Sequence, residues 1–345
     1  MTIKDIARES GYAVGTVSRV LNHNPNVSDA ARARILEVVE KYNFQPNANA
    51  KHLKQQASQG VAIIVKGTSN LLFAPILERA QALCDDAGYR STVYYIDEND
   101  NEVARAVQVC REHKPNGILF FGSDPHNFEN GLSEVDVPCL LMTNMAVGSG
   151  SDRLSSVTVD DSGAASRMIE YLYQKCHRTI GLIGGVLECS HPSGARLAGC
   201  LSSFTRLDLP FETTRQYAAT RFTLEGGYRG MEQLLHHCPE LTAVFAYSDI
   251  MAIGAVRALR DHGLRVPEDV SVVGFDGIEL SGYLLPRLTT IRQPAGRLAE
   301  RGVSILIQTI QQDRGAVHEI VPYEFLERES VRDLNHSQGR PAPLP

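Results

Sequence analysis

The sequence predicts an all-helical head followed by an α/β body of two lobes. Three observations carry that expectation. Residues 1–44 hold three apolar stripes at helical spacing. From Val61 onward, short β-branched runs alternate with helical stripes, the pattern of a parallel sheet covered by helices on both faces. The strands are then too many for one tidy sheet, so the body divides into two similar lobes. At 345 residues the chain is long enough for two or three domains with ample core.

In the head, Ile3, Ile6 and Ala7 form an i, i+3, i+4 stripe that stops at Gly11. Thr2 is placed to cap this helix, and Asp5 lies where a carboxylate favours its positive end. A second helix runs from Val14 to Asn22, with Val17, Val20 and Leu21 on one face and Thr16, Ser18, Arg19 and Asn22 on the other. Two such helices joined by a short turn containing Gly form the helix-turn-helix pattern, whose second helix enters the DNA major groove. An ordinary α-hairpin in a globular core is the plainer alternative. A third helix over 28–44, capped by Ser28 and ended by Pro46, offers Ala31, Ile35, Val38, Val39 and Tyr42 to a core shared with Ile6, Val17 and Leu21. Net charge is −6, yet residues 1–60 carry eight Lys/Arg against five Asp/Glu and the remainder 26 against 35. The basic end is therefore the end with the helix-turn-helix, as phosphate neutralisation requires. Residues 47–56 are polar with one large aliphatic, Leu53, and by composition alone read as a solvated linker.

In the body, strands are expected at Gly60–Val65, Ser91–Ile96, Gly117–Phe121, Val137–Met142 and Ser156–Val159, with helices at Ala74–Ala87 (stopped by Gly88) and Glu102–His113. The alternation then repeats. Helices are expected at Ser162–Gln174, Gly194–Phe204, Tyr228–Leu235, Met251–His262 and Gly296–Gln311, and strands at Thr179–Ile183, Ala243–Ala246 and Val270–Gly274. Glu319–Phe325 reads as a last strand, and the Pro-, Gly- and Ser-containing tail from Leu334 as disordered.

The chemistry implied is binding rather than catalysis. There is no G-x-S-x-G, H-E-x-x-H, Walker or G-x-G-x-x-G pattern. Gly181 to Gly185 has the wrong spacing for a dinucleotide site and reads as a strand-to-loop turn, and His236-His237-Cys238 sits where adjacent side chains diverge, so neither metal nor cofactor is expected. Cysteines 84, 110, 139, 176, 189, 200 and 238 are odd in number and scattered, so they read as reduced and mostly buried thiols. No run of eighteen apolar residues and no apolar signal core is present, which predicts a soluble cytoplasmic protein with no membrane partner. The candidate ligand residues are polar groups at strand ends, where open α/β sheets bind ligands: Arg196, Asp249 and Asp276.

Thr2 to Ala7, Gly11, Thr16 to Asn22, Val27-Ser28, and Phe44 to Ala50 with Leu53 together resemble the head of the lactose/galactose-repressor family of bacterial regulators, and the likeness runs on to about residue 332. The resemblance implies a helix-turn-helix domain over 1–45, a hinge over 46–59, a two-lobed effector and dimerisation domain over 60–333 similar to periplasmic binding proteins, and a tail over 334–345. It implies a homodimer on a pseudo-palindromic operator, responding to a small molecule, most simply a sugar or sugar derivative, and acting as a repressor of a catabolic operon. Its DNA-binding positions fall on Thr2, Ala13, Val14, Gly15, Thr16, Ser18, Arg19, Asn22, Asn26, Ser28, Phe44, Asn47, Ala50 and Leu53. Of these Val14, Gly15 and Arg19 would read base edges, and Leu53 of a hinge helix would wedge into the minor groove. Its effector-binding positions fall on Thr68, Leu72, Phe73, Thr143, Arg196, Phe222, Ser248, Asp276 and Gln293, with Asp249 as a helix cap. Arg196 and Asp276 would clamp neighbouring hydroxyls between the lobes, with Phe73 and Phe222 as apolar surface; Lys66, if it faces the cleft, would admit a phosphate or carboxylate. An interlobe salt bridge between Arg196 and Asp276 is the plainer alternative. Ala13 departs from the Ser usual in the family, and Thr143 and the stretch Lys66–Phe73 also depart, which puts the usual sugars in doubt. The tail lacks the apolar heptads that tetrameric relatives use. Two rival readings are a sugar-binding protein without regulatory role and an α/β enzyme carrying a DNA-binding head.

Overall fold

A computed structural model describes residues 3–21, 27–42, 60–67, 70–124, 126–146, 154–187, 191–312 and 314–335. They fall into two compact units, Met1–Ser58 and Gln59–Pro345. The hinge stretch 46–59, and with it Asn47, Ala50 and Leu53, lies outside the described residues, as do Thr2, Asn22, Asn26, Phe44 and Thr68.

The first unit holds α1 (Ile3–Ser10), α2 (Val14–Leu21) and α3 (Asp29–Lys41). Ile6, Ala7, Val17, Val20, Ile35 and Val38 form its core, with Leu21 and Val39 packed at the margin. Gly11 ends α1 in a left-handed conformation (φ +76°) and donates its N–H to Ala7 O at 3.1 Å. Two expectations are corrected. Ser28 stands at the start of α3 without giving its side chain to a cap, so the helix opens on backbone alone. Tyr42 is exposed at the helix end and reaches Glu9 instead of the core.

The second unit is built from two six-stranded sheets. Its elements are β1 (Gly60–Lys66), α4 (Phe73–Asp86), β2 (Arg90–Ile96), α5 (Glu102–His113), β3 (Gly117–Phe121), α6 (His126–Gly131), β4 (Cys139–Met142) and β5 (Leu154–Thr158). The chain continues through α7 (Asp161–Gln174), β6 (Ile180–Gly184), α8 (His191–Arg206), α9 (Thr213–Gln216), β7 (Tyr217–Ala219), α10 (Leu224–His237) and β8 (Ala243–Ala246). It ends with α11 (Asp249–Asp261), β9 (Ser271–Asp276), β10 (Thr289–Arg292), α12 (Ala295–Gln312), β11 (His318–Ile320) and β12 (Glu324–Leu326). The first sheet runs β11-β5-β4-β3-β1-β2, all parallel; the second runs β12-β10-β9-β8-β6-β7, parallel except for β12. Both faces of the first sheet are covered, which is why β1 and β3 read as unbroken apolar runs. Val61, Ile63 and Val65 enter one cluster, and Ala62 and Ile64 the opposite one.

The chain crosses between lobes three times. It passes from β5 to α7, returns at Gln293 to α12, which packs on β3, β4 and β5, and passes back after β11. The expected single strand Glu319–Phe325 is therefore two strands in different sheets, broken at Pro322, which has no N–H for a ladder. The helix expected to begin at Tyr228 begins at Leu224, capped by the Thr223 hydroxyl. Gly226 and Gly227, breakers by sequence, lie inside this helix where backbone approaches closely: a Cβ at Gly227 would lie 2.0 Å from Met251 O of α11, and one at Gly226 2.1 Å from Arg221 O of the loop before α10. Leu334 and Asn335 dock on the C-terminal end of α7, with Leu334 N donating to Lys175 O at 3.0 Å and Asn335 Nδ2 to Gln174 O at 2.9 Å, so the tail is ordered for its first two residues. The remainder lies outside the described residues. Of the seven cysteines, six are described and all are free thiols, four of them buried.

Candidate ligand cleft and nucleic-acid interface

In the first unit α2 turns Val17 and Val20 inward, and this fixes what it turns outward. Ala13, Val14, Gly15 and Arg19 are exposed, with Thr16 and Ser18 half-buried beside them. The Ala13 carbonyl accepts from Thr16 N at 2.9 Å and from Val17 N at 3.1 Å, so α2 starts without a side-chain cap. Exposed residues thus flank the positive end of the helix dipole, an arrangement that favours a phosphate.

In the second unit a cavity of about 420 Å³ opens between the lobes. Its walls are the carboxyl ends of strands from both sheets. Lys66 ends β1, Gly122 to Asp124 follow β3, and Thr143 and Asn144 follow β4. From the other lobe come Gly185 and Val186 after β6 and Thr220 to Phe222 after β7, while Arg196 on α8 and Gln293 after β10 complete the lining. The strand ends of open α/β sheets are where ligands of such folds bind.

Five of the nine ligand candidates named from sequence meet here: Phe73, Thr143, Arg196, Phe222 and Gln293. Leu72 and Asp276 face a second, adjoining cavity of about 880 Å³ that shares only Gln293 with the first. Ser248 lines neither. It is wholly buried, and its hydroxyl caps α11 by accepting from Met251 N at 3.3 Å, so the cap role assigned to Asp249 belongs to Ser248. Asp249 is instead a buried brace, accepting from Ile278 N at 2.8 Å and from Thr290 Oγ1 at 2.5 Å. Burial, and then Asp276 nearby, push its carboxyl well above the usual range.

The pairing of Arg196 also differs from expectation. Its guanidinium meets Asp161 at 2.8 Å, donates to the Tyr247 carbonyl, and lies 3.6 Å over the Phe275 ring. Arg196 and Asp276 both sit in the second lobe, on α8 and at the end of β9, so a salt bridge between them would not join the lobes. Asp276 accepts from Gln293 Nε2 at 2.9 Å. Burial raises its carboxyl to about 7, against the lowering effect of Arg196 and of the Gln293 hydrogen bond. Lys66 does face the cleft, but its ammonium is held by the buried Glu102 at 2.8 Å. Glu102 also accepts from Asp124 N at 2.7 Å and Asn127 Nδ2 at 3.1 Å, which ties the loop after β3 to the start of α5.

Sequence reasoning missed Ser123, Asn144, Arg221 and Glu98. The first two were findable as polar residues set directly after buried strands. The other two form an ion pair across the cleft mouth, Arg221 from the loop after β7 with Glu98 from the loop after β2, joined by Asp97 at 3.4 Å. Nothing in one sequence announces a contact over that separation.

Comparison with known proteins agrees with this architecture. The family profile "Bacterial regulatory proteins, lacI family" matches residues 2–47, and a periplasmic binding protein-like domain profile matches residues 169–331. The regulator MalR of Clostridium butyricum is 32% identical over 337 residues, covering 97% of this chain and 100% of that protein. Among solved structures, the lac repressor dimer bound to operator and an anti-inducer superposes with a TM-score of 0.74 at 25% identity, covering 96% of this chain and 99% of that one. The complex of the regulator CelR with cellobiose superposes with a TM-score of 0.71, also at 25% identity, with the same coverage.

Proposed function

We propose, from the premise that the chain belongs to the lacI family of bacterial regulatory proteins, that it is a homodimeric repressor whose operator affinity is set by a carbohydrate held between its lobes. Members of this family are ligand-responsive DNA-binding regulators and not enzymes, and this chain is one of them. The observation that carries the reading is the union in one chain of a helix-turn-helix with an uncovered second helix and a two-lobed body with a cavity at its strand ends. The second part alone would suit a plain binding protein; the first excludes that.

Val14, Gly15 and Arg19 read base edges, Arg19 on guanine and Val14 on thymine methyls, while Thr16, Ser18 and Ser28 position the head on the backbone. Ala13 contributes its neighbouring N–H groups and no hydroxyl. The stretch 46–59 serves as the hinge, with Leu53 as its wedge. Phe73, Thr143, Arg196, Phe222 and Gln293 hold the effector, and Asp276 acts through Gln293. The second copy of the chain covers the exposed apolar side chains of Leu71, Leu280, Tyr283 and Leu285, the last two 77% and 92% exposed in the single chain. Among the described residues no helix is long and apolar enough to cross a membrane; the proposed compartment is the cytoplasm, where operator DNA lies.

Selection of bound fragments from random DNA by the purified chain tests this. A twofold-symmetric element should be enriched, and a panel of mono- and disaccharides should contain one that changes affinity for it. Enrichment without symmetry would remove the dimer on DNA, and an operator affinity indifferent to every carbohydrate would remove the effector assignment.

A further inference from the structure

Three buried side-chain atoms among the described residues have no hydrogen-bond partner within the chain: Ser123 Oγ, Asn144 Oδ1 and Gln293 Oε1. Their residues are 3%, 2% and 3% exposed, and all three line the interlobe cavity. Buried polar groups are nearly always paired, and one left unpaired is costly. Three of them lining one cavity mark the contact points of a ligand.

The polarity of the contacts follows from what holds each group. Asn144 Nδ2 donates to the Ser123 carbonyl, which can only accept, so the amide cannot be turned over and Oδ1 is the free atom. Gln293 Nε2 donates to Asp276 Oδ1, which leaves Oε1 free while that carboxyl is ionised. Two of the three atoms are therefore acceptors only, and the Ser123 hydroxyl completes the set as donor or acceptor. The backbone is shaped for this display. Gly122 and Thr143, which precede Ser123 and Asn144, both turn through left-handed φ values, +71° and +70°. For a β-branched residue such as Thr143 that conformation is strained, and strain of this kind persists where a site needs it.

The same wall disfavours an anion. Two carbonyl-type oxygens face the ligand, and the three cations of the lining are already paired, Lys66 with Glu102 at 2.8 Å, Arg196 with Asp161 at 2.8 Å, and Arg221 with Glu98 and Asp97. A hydroxyl satisfies all parties, because it donates to an amide oxygen and still accepts from Ser123 or a remaining N–H. Phe73 and Phe222 give apolar surface for the C–H faces of a ring.

We propose that Ser123, Asn144 and Gln293 form the specificity-determining wall of the cleft and select an uncharged polyhydroxylated ligand, excluding its carboxylate and phosphate derivatives. The inference rests on the reading of this cleft as the effector site and adds the sign and hydrogen-bonding pattern of the effector.

The test uses the full chain, with thermal shift and calorimetry on D-ribose, D-glucose and cellobiose, on D-galacturonate and glucose 6-phosphate, and on hypoxanthine as a flat donor of N–H groups. A neutral carbohydrate should bind at least about tenfold tighter than either anion. Ser123→Ala should weaken that ligand by about tenfold while the ligand-free Tm is no lower than wild type, because only an unpaired hydroxyl is removed. Asn144→Ala should weaken it as much, and O-methylation of the hydroxyls it meets should do the same to the wild type. The inference is overturned if an anion or hypoxanthine binds tightest, if no neutral carbohydrate binds, or if the Ser123 variant binds like wild type. All of these readouts are of binding alone. A ligand that binds as described but leaves operator affinity unchanged would sink the regulatory reading and keep this one.

Discussion

Asp276 shows what a single residue of this cleft endures. It is the last residue of β9, 3% exposed, and its φ of 106° is one that L-residues rarely adopt. Burial moves its carboxyl from 3.8 to about 7, because the ionised form loses water that Arg196 and Gln293 replace only in part. A raised carboxylate makes the folded state bind more protons than the unfolded one. Stability contributed by this group is thus fullest below pH 4 and falls as pH climbs to 7. Over that gap the penalty is on the order of 4 kcal/mol. Asp276→Asn should therefore raise Tm at pH 8, with the advantage shrinking to nothing near pH 4, as read from melts across that range. A constant offset at every pH would mean that Asp276 is not the titrating group. The sequence placed Asp276 correctly at a strand end, a local property, and put Arg196 at the start of a helix that in fact opens earlier, at His191. It could not supply their partners. Asp161 and Gln293 reach them only through tertiary packing, and Ser123 and Asn144 gain their meaning from burial, which no local pattern records.

Among the elements, α2 was legible because its eight residues divide cleanly between a buried pair, Val17 and Val20, and an exposed face. That division predicts two different failures. Arg19 is exposed and packs nothing in the core, so Arg19→Ala should leave the unfolding free energy within about 0.5 kcal/mol of wild type. It should cost about 1–3 kcal/mol in operator affinity and relax the preference for guanine at one position in each half-site. Val20→Ala should do the opposite, melting the head and losing specific and non-specific DNA binding together. If Arg19→Ala left the base preference intact, α2 would not be the reading helix. The long helices and buried strands of the body were equally legible from period. What escaped was short or overruled. Strands β7 and β10 have three and four residues, too few to show alternation. The start of α10 was hidden because Gly227 serves close packing against α11 and Gly226 against the loop before α10, a use of glycine that looks in sequence like a break. Ser28 is the reverse case, a residue with cap chemistry whose side chain makes no cap bond.

For the molecule, two lobes on three crossing strands of chain leave the cleft as the place where relative motion is absorbed, and the contacts that span it set the resting balance. Arg221 and Glu98, with Asp97, are such a contact, at the mouth and in solvent. Glu98 and Asp97 both favour the charged form of Arg221, first through the hydrogen bond to Glu98. An exposed ion pair is weak and is screened by salt, so it biases the closed arrangement of the second unit without locking it. A ligand adds its own differential affinity to that bias, and a shift in either changes the population that meets DNA. Arg221→Glu should therefore open the ligand-free cleft, seen as a larger radius of gyration by small-angle scattering at low salt. Raising the salt concentration should move the wild type toward the same value. Restoring the pair in reverse, Arg221→Glu with Glu98→Arg, should return the closed value, while Glu98→Arg alone should not. If the single and double variants scatter alike, the lobes are held by packing around the crossings, and the pair at the mouth is only a surface contact.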